Sequence, residues 1–196
     1  MIKQLLSSLA LTVLMLSGTQ AVRSETSAAL EAPVVLAPFY TKAEFEAPVA
    51  GSYELPSLGQ AADGAVLDAN GNSGSLLDQF GNGKVVLLSF IYSTCTDVNG
   101  CPLATAVMYS VQQKIRANPV LRDRLRMISL SFDPKYDTPE VMSLYGTGFA
   151  DDGEWRFLTT ASWHALAPIL QDYRQSVIRD IDEHGEEPPT FSHILR

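Results

Sequence analysis

Cys95 and Cys101 are the only two cysteines among 196 residues, and they carry the most specific chemistry in the chain. A thiolate is both the reactive and the metal-binding form of the side chain. Two thiols six positions apart can close a static disulfide, work as a redox pair, or hold a soft metal. The usual redox spacing is C-x-x-C, and C-x5-C departs from it. A third soft donor, His193, lies near the far end. Two thiolates with one imidazole suit copper, in either oxidation state, at low coordination number. Structural zinc normally takes four protein ligands. Spacing by itself leaves all three chemistries open.

The elements around the pair come next. The run 84–92 (KVVLLSFIY) reads as a strand buried on both faces, central in its sheet. Asn99-Gly100 is a turn signal inside the loop that separates the thiols. Pro102 fits the first position of a helix, which places Cys101 at the N-cap. Unpaired N–H groups and the positive end of the helix dipole favour a thiolate there. Asp97 opposes it if its side chain turns inward.

Other ionisable residues carry weaker signals. His164, beside Trp163 at a helix start, reads as a surface or cap residue. His184 sits in the acidic stretch 182–187 (DEHGEE), which reads as a solvated loop. Asp133 and Asp137 read as loop residues, with a supporting role at the site or in partner docking open to them. Pro189, in Pro188-Pro189-Thr190, resembles the proline that faces the cysteines in thioredoxins, where the bond is cis.

Along the chain, 53–58 and 65–68 read as a hairpin with Asp63-Gly64 at its turn. A helical turn is expected at 75–80 and a helix from Pro102 to Asn118-Pro119. A buried strand follows at 127–132. Thr138-Pro139 then supplies N-cap and N1 signals for a helix. The segment 155–159 alternates like a strand. A helix over 162–173 is expected to kink or stop at Pro168. Short strands are predicted at 176–179 and from Phe191 onward. Strands alternating with helices predict an α/β fold with parallel strands. A strand that ends in a Cys, followed by a helix that begins after a second Cys, is a thioredoxin-like three-layer layout. Such a sheet takes a closing hairpin and a last helix, so the chain reads as truncated before them.

Residues 1–21 have a positive start, a short apolar run and small residues, the pattern of a secretory signal peptide. The run is short for a membrane span, which takes roughly 20 residues. An uncleaved segment would leave the protein anchored. Residues 22–50, rich in Ala, Pro, Glu and Ser, read as a flexible arm, and 51–196 as the domain. Export, with a periplasmic location, is the expectation. The formal net charge of −8 argues against nucleic acid as a partner.

Two stretches are similar to the Sco/SenC family of thioredoxin-fold copper proteins. One is the run 84–92 with Ser93-Thr94-Cys95 and Cys101-Pro102. The other is 131–140 (SFDPKYDTPE), close to that family's S-x-D-P-x-x-D-T-P-E stretch. The resemblance covers residues from about Tyr53 to the end. It implies a metallochaperone rather than an enzyme, with Cys95, Cys101 and His193 as copper ligands. It also implies a cuproprotein client such as a cytochrome oxidase subunit, and a thiol reductant protein that keeps the pair reduced. The family spaces its cysteines C-x3-C-P, so the loop here is two residues longer. Its histidine sits in D-H-S, whereas His193 follows Phe191-Ser192. The alternative is a thiol-disulfide oxidoreductase that acts on exported proteins, with Cys95 attacking and Cys101 resolving.

Overall fold

A computed structural model of the chain describes residues 46, 48–49, 51–150, 153–188 and 190–194, with only the backbone of 193 and 194. The signal segment, most of the arm and the Pro189 bond lie outside the described residues. The element order is β1 (Ala65–Asp68), β2 (Ser73–Ser75), α1 (Leu76–Phe80), β3 (Val85–Ile91), α2 (Cys101–Ala117), α3 (Pro119–Arg124) and β4 (Leu125–Ser131). It continues with α4 (Pro139–Tyr145), β5 (Trp155–Thr159), α5 (Trp163–Asp172), β6 (Ser176–Arg179) and β7 (Phe191–Ile194). No helix among the described residues is long and apolar enough to cross a membrane.

Five strands form one sheet in the order β2-β1-β5-β4-β3. β3, β4 and β5 are parallel, and β1 runs antiparallel to both β5 and β2. Register assigns the two faces. Ser89, Ser129 and Phe157 share a row, and Phe90, Leu130 and Leu158 share the next. Successive side chains alternate across a sheet, so these rows face opposite ways. Phe157 meets Tyr145 at the end of α4 (5.9 Å between centroids), and Tyr145 hydrogen bonds to Thr105 of α2 (2.8 Å). Phe90 on the other face meets Tyr173, just past α5 (5.8 Å). Helices thus cover both faces, giving the three-layer α/β arrangement. Trp155, fully buried, donates its indole N–H to Ser129 Oγ (3.1 Å), so its burial leaves no donor unpaired.

Four local expectations are corrected or refined. The first hairpin pairs β1 with β2 around the turn at 69–72, not with 53–58. Asp68 builds that turn by accepting from the Asn70 and Asn72 N–H groups (2.8 and 2.9 Å). Asp63, the expected turn residue, instead accepts from Ser75 Oγ and Leu77 N (2.6 and 3.1 Å), which ties it to the start of α1. Leu55 and Leu58 lie exposed.

Second, β3 is an edge strand. Its one partner among the described residues is β4, and Val85 is 61% exposed. The apolar composition that suits a central strand therefore leaves residues 86–89 half-buried. No closing hairpin or further helix follows β7 among the described residues.

Third, Asn118 ends α2 and at once starts α3, its side chain accepting from the Val120 and Leu121 N–H groups. Fourth, α5 runs through Pro168. The helical bond that Pro168 cannot make belongs to the carbonyl of His164, an exposed residue that water can reach.

Candidate functional site

The loop between β3 and α2 is pinned from below by Asp137. This carboxylate is fully buried. Its Oδ2 accepts from Ser93 N–H (3.0 Å) and from Ser131 Oγ (2.5 Å), and its Oδ1 accepts from Ser93 Oγ. Ser131 Oγ accepts in turn from Asp133 N–H (3.0 Å). The end of β4 is thereby laced to the residue two before Cys95. Both aspartates of the 131–140 stretch are loop residues, as expected, and both are fully buried partners of neighbouring side chains.

Within the loop, Asp97 makes a tight turn. Its side chain accepts from Asn99 N–H (3.0 Å) and its carbonyl accepts from Gly100 N–H (2.9 Å). The Cys95 thiol also leans on that carbonyl (3.9 Å). Gly100 is the helix N-cap, and Cys101 is the first helical residue, so the helix starts one position earlier than expected. A Cβ on Gly100 would stand 3.3 Å from Cys95 Sγ and 3.3 Å from Asp97 O. The two added loop residues are thus taken up in a turn closed by a residue without a side chain.

The two thiols line one cavity, and neither is in a disulfide. Cys95 is half-buried and Cys101 is 2% exposed. Burial, with the neighbouring Cys95 adding to it, pushes the Cys101 thiol up to about 12, against a hydrogen bond from Tyr92 N–H (3.5 Å). The expected thiolate at the helix start is therefore corrected. Desolvation outweighs the helix end, and the reduced protein holds Cys101 as a neutral thiol. Tyr92 was not singled out by the sequence. Its phenol is raised by burial first and then by its hydrogen bond to Cys95. Tyr92, Cys95, Cys101, Thr105, Tyr145 and Phe149 line a cavity of about 260 Å³ at the surface.

His193 lies in β7, where its backbone pairs with Val177 of β6. Its side chain is outside the described residues. Phe191, two before it, is buried against Tyr92 (5.0 Å) and Phe132 (5.2 Å). Among the described residues no three metal-ligating side chains come together. His164 and His184 are exposed, as expected for surface residues. Arg179 is a second residue that sequence reasoning missed. It pairs with the fully buried Asp133. Burial raises Asp133, and the Arg179 guanidinium opposes the rise.

The SCO1/SenC family profile matches residues 66–194. The chain belongs to the SCO1/SenC family. Among solved structures, it is 25% identical to copper-bound ScoI of Bradyrhizobium japonicum, with a TM-score of 0.54 over 69% of this chain and 78% of that one. It is 26% identical to apo Sco1 of Thermus thermophilus, with a TM-score of 0.54 over 69% of this chain and 73% of that one. Copper-bound yeast Sco1, at 20% identity and a TM-score of 0.54, covers 71% of each chain and shares the fold. No functionally curated protein is similar at a significant level. The thioredoxin-like layout expected from the strand–Cys–helix order is the fold of these Sco structures.

Proposed function

We propose that this is an exported copper metallochaperone. Cys95 and Cys101 supply thiolates, His193 supplies the imidazole, and copper is handed to a cuproprotein such as a cytochrome oxidase subunit. The observation that carries the reading is the pair of unbridged thiols lining one cavity, one half-exposed and one buried, in an SCO1/SenC chain similar to copper-bound ScoI. Soft donors fit a soft cargo. The surface cavity leaves Cys95 open to ligand exchange with an acceptor. A disulfide would remove both donors, so a thiol reductant gates loading.

The test is a Cu(I) titration of the reduced protein against a competing chelator, with His193→Ala alongside. Tight binding of one copper that weakens in the variant supports the reading. Binding indifferent to His193 sinks the three-ligand assignment.

A second reading has one observation in its favour. A half-exposed Cys95 beside a buried Cys101 is the arrangement of an attacking and a resolving thiol, as in a thiol-disulfide oxidoreductase. In that reading, dithiol exchange with an exported protein proceeds unchanged in His193→Ala.

A further inference from the structure

Among the described residues, the hairpin β6–β7, which carries His193, shares no backbone ladder with the main sheet. Side chains fasten it: Val177 packs against the core, and the cross-strand pair of Arg179 with Phe191 adds a second attachment. Phe191 enters the aromatic group of Tyr92 and Phe132. The Arg179 guanidinium lies over the Phe191 ring at 4.3 Å, pairs with Asp133 beyond the end of β4, and donates to Pro188 O (3.4 Å). Arg179 is 16% exposed and Asp133 is 0%. A planar fork with five donors fixes orientation as well as distance. The pairing with Asp133 ties the hairpin to the end of β4, and the contacts with Phe191, Pro188 and Glu187 (3.8 Å) hold the guanidinium within the hairpin.

We infer that Arg179 is a positioning residue for the third copper donor: it bolts the β6–β7 hairpin to the cysteine-bearing sheet and so sets where His193 stands. The inference rests on the copper reading above. His193 pairs with Val177, two residues from Arg179 on the same strand, about 7 Å along it. Arg179 and its partner Phe191 form the loop-end pair of the hairpin, and His193 lies two positions further along β7, so releasing Arg179 loosens the strand that carries His193 and leaves the β3–α2 loop with both cysteines in place. Arg179 touches neither thiol and acts only through the strand.

A double-mutant cycle tests this on the whole chain, reduced without oxygen. Wild type, His193→Ala, Arg179→Gln and the double variant are titrated with Cu(I) against a chelator, with near-UV circular dichroism as the check on folding. Arg179→Gln is expected to weaken copper by about 10- to 100-fold. The double variant is expected to bind within about twofold of His193→Ala, because the position of His193 no longer matters once its imidazole is gone. A wild-type affinity in Arg179→Gln overturns the inference. So does an equal further loss in the His193→Ala background, which marks a general structural effect. If His193→Ala alone changes nothing, the copper-ligand reading itself fails. Should Arg179→Gln not fold, Arg179→Lys takes its place in the cycle with the same outcomes. It keeps the charge opposite Asp133 and loses the planar fork.

Discussion

Asp137 accepts three hydrogen bonds in a fully buried position, and two of them come from Ser93, at the root of the cysteine loop. Hydrogen bonds to a charged group contribute about 1.5–3 kcal/mol each. Asp137→Ala removes all three and leaves one N–H and two hydroxyls without their acceptor. It also relieves the cost of burying the carboxylate and its repulsion of Asp133. The net loss is then roughly 3–5 kcal/mol, a large share of the 5–15 kcal/mol that holds a typical domain. Asp137→Asn behaves differently. Its amide oxygen can still accept from Ser93 N–H, and its NH2 can donate to Ser93 Oγ. With neutral bonds of about 1 kcal/mol replacing charged ones, the cost is about 1–2 kcal/mol. Urea unfolding of the reduced protein reads both values from the midpoints, and the slope m shows whether the folded state has loosened. In thermal melts the Ala variant is expected to fall by about 6–20 °C. An Ala variant within about 1 kcal/mol of wild type would refute the idea that this carboxylate anchors the loop. If Asn costs as much as Ala, the negative charge matters and the bond count does not.

The remaining expectations concern the thiols. Copper must displace the Cys101 proton, which burial holds up to about 12, so protons compete with the metal and apparent affinity rises with pH. Cu(I) titrations between about pH 6 and 8 should show at least a tenfold gain per unit, and a flat profile would contradict a buried neutral thiol. Iodoacetamide should label the folded, reduced protein once, at Cys95, and add a second label only in denaturant, because Cys101 is 2% exposed. Mass spectrometry reads the count, and rapid double labelling of the native state would disprove the burial argument. Gly100→Ala sets a methyl 3.3 Å from Cys95 Sγ and must displace it. Copper affinity should drop about tenfold with little loss of stability, and an unchanged affinity would show that the loop gives way at no cost.

The alternation of strands and helices, the strand that runs into Cys95 and the helix that opens at Cys101 were legible because each rests on local pattern. So were β5, β6, β7 and the cap at Thr138. What escaped depends on partners distant in sequence. Asp63-Gly64 looks like a hairpin turn, but Asp63 is taken up by Ser75 and Leu77. The apolar run of β3 signals burial on both faces, and no periodicity reveals that one edge lacks a strand among the described residues. The helix-start rule predicts a thiolate at Cys101, yet it cannot weigh the core that closes over that sulfur. Arg179 looks like an ordinary strand arginine until the fold brings Asp133 to it across 46 residues. The one long-range signal that could have been used was the 131–140 stretch, whose two aspartates turn out to face Ser93 and Arg179.

The unequal surroundings of the two cysteines bear on which chemistry suits them. In dithiol exchange, Cys101 must attack the mixed disulfide formed at Cys95, and only its thiolate can do so. Burial raises the Cys101 thiol and so disfavours its thiolate at neutral pH. Resolution would be slow, and a client would stay trapped on Cys95. Copper meets the same proton on different terms. A metal seated first on the half-exposed Cys95 sits in the cavity that Cys101 also lines, and its positive charge lowers the cost of the second thiolate. On the copper reading, binding is stepwise, from the surface sulfur to the buried one, and release runs in reverse through the cavity that both sulfurs line. The burial that handicaps an oxidoreductase is the feature that lets a carrier hold copper and give it up on proton return, so the geometry sits more easily with a cargo than with a disulfide.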